Sequence, residues 1–283
     1  MSGRLSGAPC TPRACVDPTA PVAAVPRAVL RLMAVAVLVL GGIALSPLGG
    51  RIPAGWVGRW CRAIARAAGV RVRISGTAAP TGGLLLVANH ISWLDVPLLA
   101  AVRPARMLAK SEVRRWPLVG PLAARGGALF IERDRLRALP GTVALLAETL
   151  RAGAAVAAFP EGSTWCGRGR GRFHRAVFQA ALDAGVPVQP VTIGYRRAGG
   201  ATSTAPAFVG EDTLAASLWR VVRARGLVAE VAVRPVIPPG SHRDRRALAG
   251  AAEPAGAAGP CRTYDAPRAV PPQMRRTVCS ERA

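Results

Sequence analysis

The sequence predicts an α/β fold, a sheet flanked by helices on both faces, with a membrane-associated helical segment toward its N-terminus. Three observations predict it. Beyond Arg71, seven short apolar runs alternate with helical stretches. Most of those runs are continuously apolar, as strands covered on both faces are. From Leu32 to Gly50 no charged residue occurs, and that stretch is about the length a bilayer-spanning helix requires.

In chain order, residues 1–26 are rich in Pro, Ala and Gly without periodicity and are expected to be disordered. Residues 27–70 form the membrane-associated segment. Its apolar part fades near Leu45, Gly41 and Gly42 interrupt it, and Pro47 is expected to kink its end. Arg27 and Arg31 would also serve a cleavable signal peptide, but about 26 residues precede them and no secretory disulfide pattern follows, so retention is expected. Arginines lie on both flanks: 4, 13, 27 and 31 before, 51, 59, 62, 66, 71 and 73 after. Both ends are thereby asked to stay cytoplasmic, which a segment dipping into one leaflet satisfies better than a simple span. Trp56, Trp60, Ile64 and Ala67 recur at helical spacing between arginines, which suits a membrane interface or an ordinary helix on the core.

Residues 71–240 form the main domain. The strands are "VRIS", "LLLVAN", "MLAK", "GALFI", "AAVAAF", "VPVQPVTIGY" and "EVAVRPVI"; the helices cover Trp93 to Ala101, Leu136 to Arg151, Ala176 to Ala184 and Thr213 to Ala224. Residues 241–283 turn to Ala, Pro, Arg and Gly and are expected to be a disordered basic tail.

Thirty-eight Lys and Arg against 15 acidic residues give a formal net charge of +23, which points to an anionic surface or ligand. Aromatic residues are only 5% and do not interleave with the arginines as a stacking platform for nucleic acid would, so no nucleic-acid partner is expected. The six cysteines are scattered, without CxxC pairs or His partners at ligand spacing. They read as reduced thiols of a cytosolic compartment, with no metal site.

The chemistry concentrates at "LLLVANHISWLDVP", where a buried strand delivers His90 to the sheet edge at which open α/β folds place ligands. On one continuous helix, five residues would leave His90 and Asp95 about 140° apart. With His90 in a turn and Asp95 in the first helical turn, the carboxylate can fix one imidazole nitrogen and leave the other to take a proton. Ser92 and Asp95 also fit an S-x-x-D capping box, which needs no catalysis.

Four blocks in order resemble the PlsC-like glycerophospholipid acyltransferase family. They are N-H-x-S-x-x-D (Asn89, His90, Ser92, Asp95), G-x-x-F-I-x-R (Gly127, Phe130, Ile131, Arg133), F-P-E-G (Phe159 to Gly162) and V-P-V-x-P-V (Val186 to Val191). The resemblance implies transfer of an acyl group from a thioester, acyl-CoA or acyl carrier protein, to the free hydroxyl of a lysolipid such as 1-acyl-glycerol-3-phosphate. His90 would be general base and Asp95 its orienting partner. Phe130, Arg133, Glu161 and Gly162 would serve the acceptor head group, with Ser163 and Thr164 as further hydrogen-bond donors. No metal or redox cofactor is implied. Membrane lipid and the acyl donor are the implied partners, at the cytoplasmic face of the cell membrane.

Members that acylate lysophosphatidate carry F-P-E-G-T-R-S, with arginine where this chain has Thr164. "NHISWLD" and "AKSEVRRWPLVG" resemble the branch acting on other lysolipids, lyso-ornithine lipid among them. "GRGRGRFHR" (167–175) supplies four arginines that can replace the missing charge. Two other readings use the same features: hydrolysis with water as acceptor, and a non-enzymatic basic protein held to anionic membrane or nucleic acid by charge.

Overall fold

The computed structural model describes residues 10–17, 25–117, 119–132 and 136–254. Its centre is one seven-stranded sheet. The strands are β1 (Val70–Ser75), β2 (Leu84–Ala88), β3 (Arg106–Lys110), β4 (Leu129–Ile131), β5 (Ala155–Ala158), β6 (Val188–Arg197) and β7 (Leu227–Val233), in the order β1-β7-β6-β2-β5-β3-β4. Every neighbouring pair is parallel except β6 with β7. All seven apolar runs are therefore strands of a mixed sheet.

β2 shows why the runs are continuous. All five of its residues are buried, with Leu84, Leu86 and Ala88 in one core and Leu85 and Val87 in the other. Alternate side chains of a strand leave opposite faces, so a strand covered twice has no polar face. Each fully buried leucine contributes about 1.5–3 kcal/mol.

The first core lies under α2 (Val25–Leu45), α3 (Ala54–Ala67), α4 (Asp95–Val102) and α8 (Leu214–Arg223). The second lies under α6 (Leu139–Arg151), α7 (Ala176–Ala184) and α9 (Arg245–Ala252). Between β3 and β4 runs the short α5 (Val119–Arg125). α7 ends on Gly185 at φ 63°, a left-handed position that glycine takes without steric cost.

Two expectations of disorder are corrected. Residues 12–15 form a one-turn helix, α1 (Pro12–Cys15), capped by the Thr11 hydroxyl, and Cys10 and Cys15 are buried. Asp17 holds this strap to the domain: its N–H donates to Thr204 Oγ1 at 2.9 Å, and its carboxylate accepts from Thr204 N at 3.0 Å. The tail likewise begins with α9, whose Leu248, Ala249 and Ala252 are buried. Asp244 caps it, its carboxylate accepting from Arg246 N and Ala247 N. Tertiary contacts decide both cases, because segments this short and alanine-rich show no periodicity. Residues 1–9, 18–24 and 255–283 lie outside the described residues.

The apolar N-terminal stretch is α2 continued by a 3-10 segment from Ser46, and Val25–Gly49 is long and apolar enough to cross a membrane. One stripe of it packs on the domain through Ala28 and Val35. Arg31 Nη1 donates to the carbonyls of Val222 and Ala224 at 2.9 and 2.8 Å, satisfying the C-terminal end of α8. Leu30, Met33, Val37 and Leu40 on α2 are exposed, as are Leu48 and Trp56 beyond it. Gly41 and Gly42 do not break the helix; they seat the Trp60 indole, which a Cβ at Gly41 would meet at 3.2 Å. On α3, the Arg59 guanidinium lies 4.7 Å over the Trp56 ring.

Candidate active site

β2, β5 and β6 end at the same edge of the sheet, and their C-terminal ends carry the polar residues. Asn89, just past β2, clamps that strand to β6: its side-chain amide donates to Ile193 O at 2.9 Å and accepts from Ile193 N at 2.8 Å. The chain then leaves the sheet, so His90 sits in a turn and Asp95 in the first turn of α4.

Asp95 is fully buried and meets four donors. Its Oδ2 lies 2.9 Å from His90 Nδ1 and accepts from Ile91 N at 2.6 Å and Ser92 N at 2.8 Å. Its Oδ1 accepts from Tyr195 Oη at 2.6 Å. Asp95 thus also closes the S-x-x-D capping box ahead of α4, its carboxylate reaching back to Ser92 N. The Ser92 hydroxyl accepts from Leu94 N. A carboxylate at Nδ1 sets the tautomer with the proton on that nitrogen, leaving Nε2 as the nitrogen that accepts one. The His90 ring is one-fifth exposed and stacks on Phe159, centroids 3.9 Å apart with an interplanar angle of 7°. Trp165 N donates to His90 O at 2.7 Å and fixes the backbone behind the ring.

Burial pushes the Tyr195 phenol well up, and the Asp95 charge adds to the rise. Tyr195 therefore stays a protonated donor to Asp95.

Glu161 follows β5 and brackets the same turn. Its Oε2 accepts from His90 N at 2.7 Å and its Oε1 from Gly171 N at 3.0 Å. Burial pushes its carboxyl up from 4.5 to about 8, against the lowering effect of those two N–H groups. The folded chain therefore holds a proton here that the unfolded chain releases above its ordinary carboxylate range. This contribution to stability is fully present below pH 4.5 and is lost as pH rises through about 8. Across that window the wild-type protein is expected to lose stability faster than Glu161→Gln, by at most about 1.4 kcal/mol per pH unit. Parallel melting-temperature curves for the two proteins between about pH 5 and pH 8 would contradict it.

A cleft of about 280 Å³ opens beside these groups, lined among others by Asn89, His90, Glu161, Trp165, Arg170 and Tyr195.

The other residues expected at the site are placed differently. Gly162 adopts φ 75° against the His174 ring, 3.0 Å from where a Cβ would sit. It makes the turn after β5 and does not line the cleft. Ser163 and Thr164 are not lining residues either, and the Thr164 hydroxyl donates to Phe208 O, tethering two loops. Phe130 lies on β4, three strand positions from β2 and so about 14 Å away across the sheet; the Arg114 guanidinium covers its ring at 5.6 Å. Arg133 lies outside the described residues.

Tyr195 is the site residue the sequence did not single out, whereas Phe159 opens the F-P-E-G block and Arg170 belongs to the arginine run 167–175. Tyr195 shares a face of β6 with the buried Val191 and Ile193, a period-two signal of core that hides its hydroxyl's partner.

The chain matches the Acyltransferase family model over residues 69–194. It is 41% identical over 235 residues to the lyso-ornithine lipid O-acyltransferase of Pseudomonas aeruginosa, an alignment covering 79% of this chain and 86% of that one. It is 35% identical over 175 residues to the 1-acyl-sn-glycerol-3-phosphate acyltransferase of Neisseria gonorrhoeae, covering 61% of this chain and 68% of that one. Among solved structures, the 1-acyl-sn-glycerophosphate acyltransferase PlsC from Thermotoga maritima superposes with a TM-score of 0.60 at 18% identity, over 82% of this chain and 92% of that chain, and so shares the fold.

Proposed function

This chain belongs to the Acyltransferase family, and from that premise we propose that it moves an acyl group from a thioester to the free hydroxyl of a lysolipid, with His90 as general base. The observation that carries the proposal is the Asp95 carboxylate on His90 Nδ1 at 2.9 Å, which directs the other ring nitrogen to the work of proton transfer.

An alcohol is a poor nucleophile until a positioned base takes its proton, whereas a thioester already has a good leaving group. In the reaction His90 Nε2 removes the hydroxyl proton as the oxygen attacks the thioester carbonyl. The C–S bond breaks, and the imidazolium returns the proton to the departing thiolate. Asp95 stabilises that imidazolium, held in place by Ile91 N, Ser92 N and the Tyr195 hydroxyl. Arg170 in the cleft offers a cation to an anionic acceptor or to the phosphates of an acyl donor.

Two considerations favour an acceptor of the lyso-ornithine type: the name carried by the P. aeruginosa relative, and a Thr164 engaged with Phe208 O where lysophosphatidate-specific members carry arginine. The 1-acyl-glycerol-3-phosphate reading is second, supported by the N. gonorrhoeae relative. The exposed apolar side of α2 with Trp56 embeds in the cytoplasmic leaflet, bringing the cleft to its lipid.

Purified protein given acyl-CoA or acyl carrier protein and a panel of lysolipids is expected to yield an acylated lyso-ornithine lipid faster than phosphatidate, read by mass spectrometry. Free fatty acid released without consumption of any lysolipid would show a hydrolase and overturn the proposal.

A further inference from the structure

Three cysteines from distant parts of the chain meet in the fold. The sulfurs of Cys10, Cys15 and Cys166 all lie within 4.8 Å of one another, and all three residues are buried, at 2%, 2% and 0% exposure. Cys10 precedes and Cys15 ends the one-turn helix of the N-terminal strap, and Cys166 sits in the loop after Glu161. We propose that these three thiols bind a thiophilic divalent cation, zinc foremost, which staples the strap to the wall of the active-site cleft.

Distance supports the cluster as a ligand set. Zinc binds thiolate sulfur at about 2.3 Å, so tetrahedral ligands stand roughly 3.8 Å apart, within the span observed. A disulfide would join only two of the three. Donor type narrows the ion: soft sulfur selects zinc or another thiophilic metal over magnesium or calcium, which prefer oxygen. As the metal enters, each thiol gives up its proton to solvent and a metal–sulfur bond forms in its place. Three protein ligands leave a fourth position for water or an added donor.

The location gives the metal something to do. A four-residue helix is far too short to be stable alone. Asp17 anchors one end of the strap, through Thr204 and a 2.8 Å ion pair with Arg168. Cys10 stands at the other end, and Cys15 lies two residues before Asp17. Their partner Cys166 follows Trp165, whose N–H holds His90 O, and precedes Gly167, which packs on Ile91. A cation shared by the three therefore ties the strap to the segment behind the imidazole. Cys61 lies on α3, outside the cluster.

The test uses the full chain, loaded with zinc under reductant and desalted, with metal counted by plasma mass spectrometry. About one zinc per chain is expected, unchanged in a Cys61→Ser/Cys261→Ser/Cys279→Ser protein that keeps only the three clustered thiols. Cys166→Ser is expected to bind at least about tenfold more weakly, the loss even an outer-shell change can cause. Should that variant fail to fold, the wild-type chain loaded with cobalt is expected to show a thiolate-to-cobalt charge-transfer band, and a chelator is expected to speed amide exchange over residues 10–17. Zinc-free wild-type protein after loading, a Cys166→Ser protein that folds and retains its zinc, or a native mass two hydrogens light from a disulfide within the trio would each overturn the proposal. None of these readouts depends on acyl transfer.

Discussion

Replacing His90 with alanine is expected to lower kcat for acyl transfer about 10²- to 10⁴-fold, the range a positioned general base contributes. KM for the lysolipid is expected to change little, because the imidazole acts on the proton in flight and the cleft is formed largely by other residues. Stability should hold close to wild type. The ring is one-fifth exposed, and its loss removes the stacking contact with Phe159 and one of the four donors to Asp95, while the other three donors and the backbone bonds of His90 to Glu161 and Trp165 remain. Steady-state kinetics with thermal denaturation on the same preparation separates the two effects. A large fall in both kcat and melting temperature would mark His90 as a structural residue.

Asp95→Ala is expected to show the opposite balance, damaging the fold as well as the chemistry. Three donors besides the imidazole converge on this carboxylate: Ile91 N, Ser92 N and the Tyr195 hydroxyl. Asp95 is fully buried, so removing the acceptor leaves donors without water to turn to. Each buried donor left unpaired costs about 1–3 kcal/mol, so the variant is expected to lose about 3 kcal/mol or more. For a chain of this size that is a fall of roughly 6–12 °C in melting temperature. Activity should fall at least as far as in His90→Ala, since the imidazole loses both its orientation and the charge that stabilises its protonated form. Asp95→Asn keeps an acceptor oxygen, and it should recover part of the stability without recovering the rate. A melting temperature within about 2 °C of wild type for Asp95→Ala would show that the four-donor network does not hold the turn.

The sheet was legible because each strand carries its own evidence. A run such as Leu84 to Ala88 is apolar at every position and needs both faces covered wherever it lies in the order. Strand order is a different kind of information. Nothing local to Phe130 reveals that β3 and β5 stand between β4 and β2, so a residue from a matching block falls far from the imidazole. The pairing of His90 with Asp95 was legible for the reverse reason: five residues at a strand-to-helix turn fix their own geometry. Tyr195 lies 100 residues from the carboxylate it serves, and only the adjacency of β6 and β2 brings them together. The N-terminal strap and α9 escaped because their order is imposed by partners elsewhere, Thr204 and Arg168 for one and the second core for the other. The cysteine cluster belongs with them: its sequence spacings carry no ligand pattern, and only folding brings the three sulfurs together.

The role of the imidazole can be measured most directly by supplying it from outside. Free imidazole added to folded His90→Ala protein, with acyl donor and lysolipid saturating, is expected to raise the rate of acylated-lipid formation toward a plateau, while Asp95→Ala protein that retains His90 gains nothing. Wild-type transfer by His90→Ala before any imidazole is added would contradict a base at position 90.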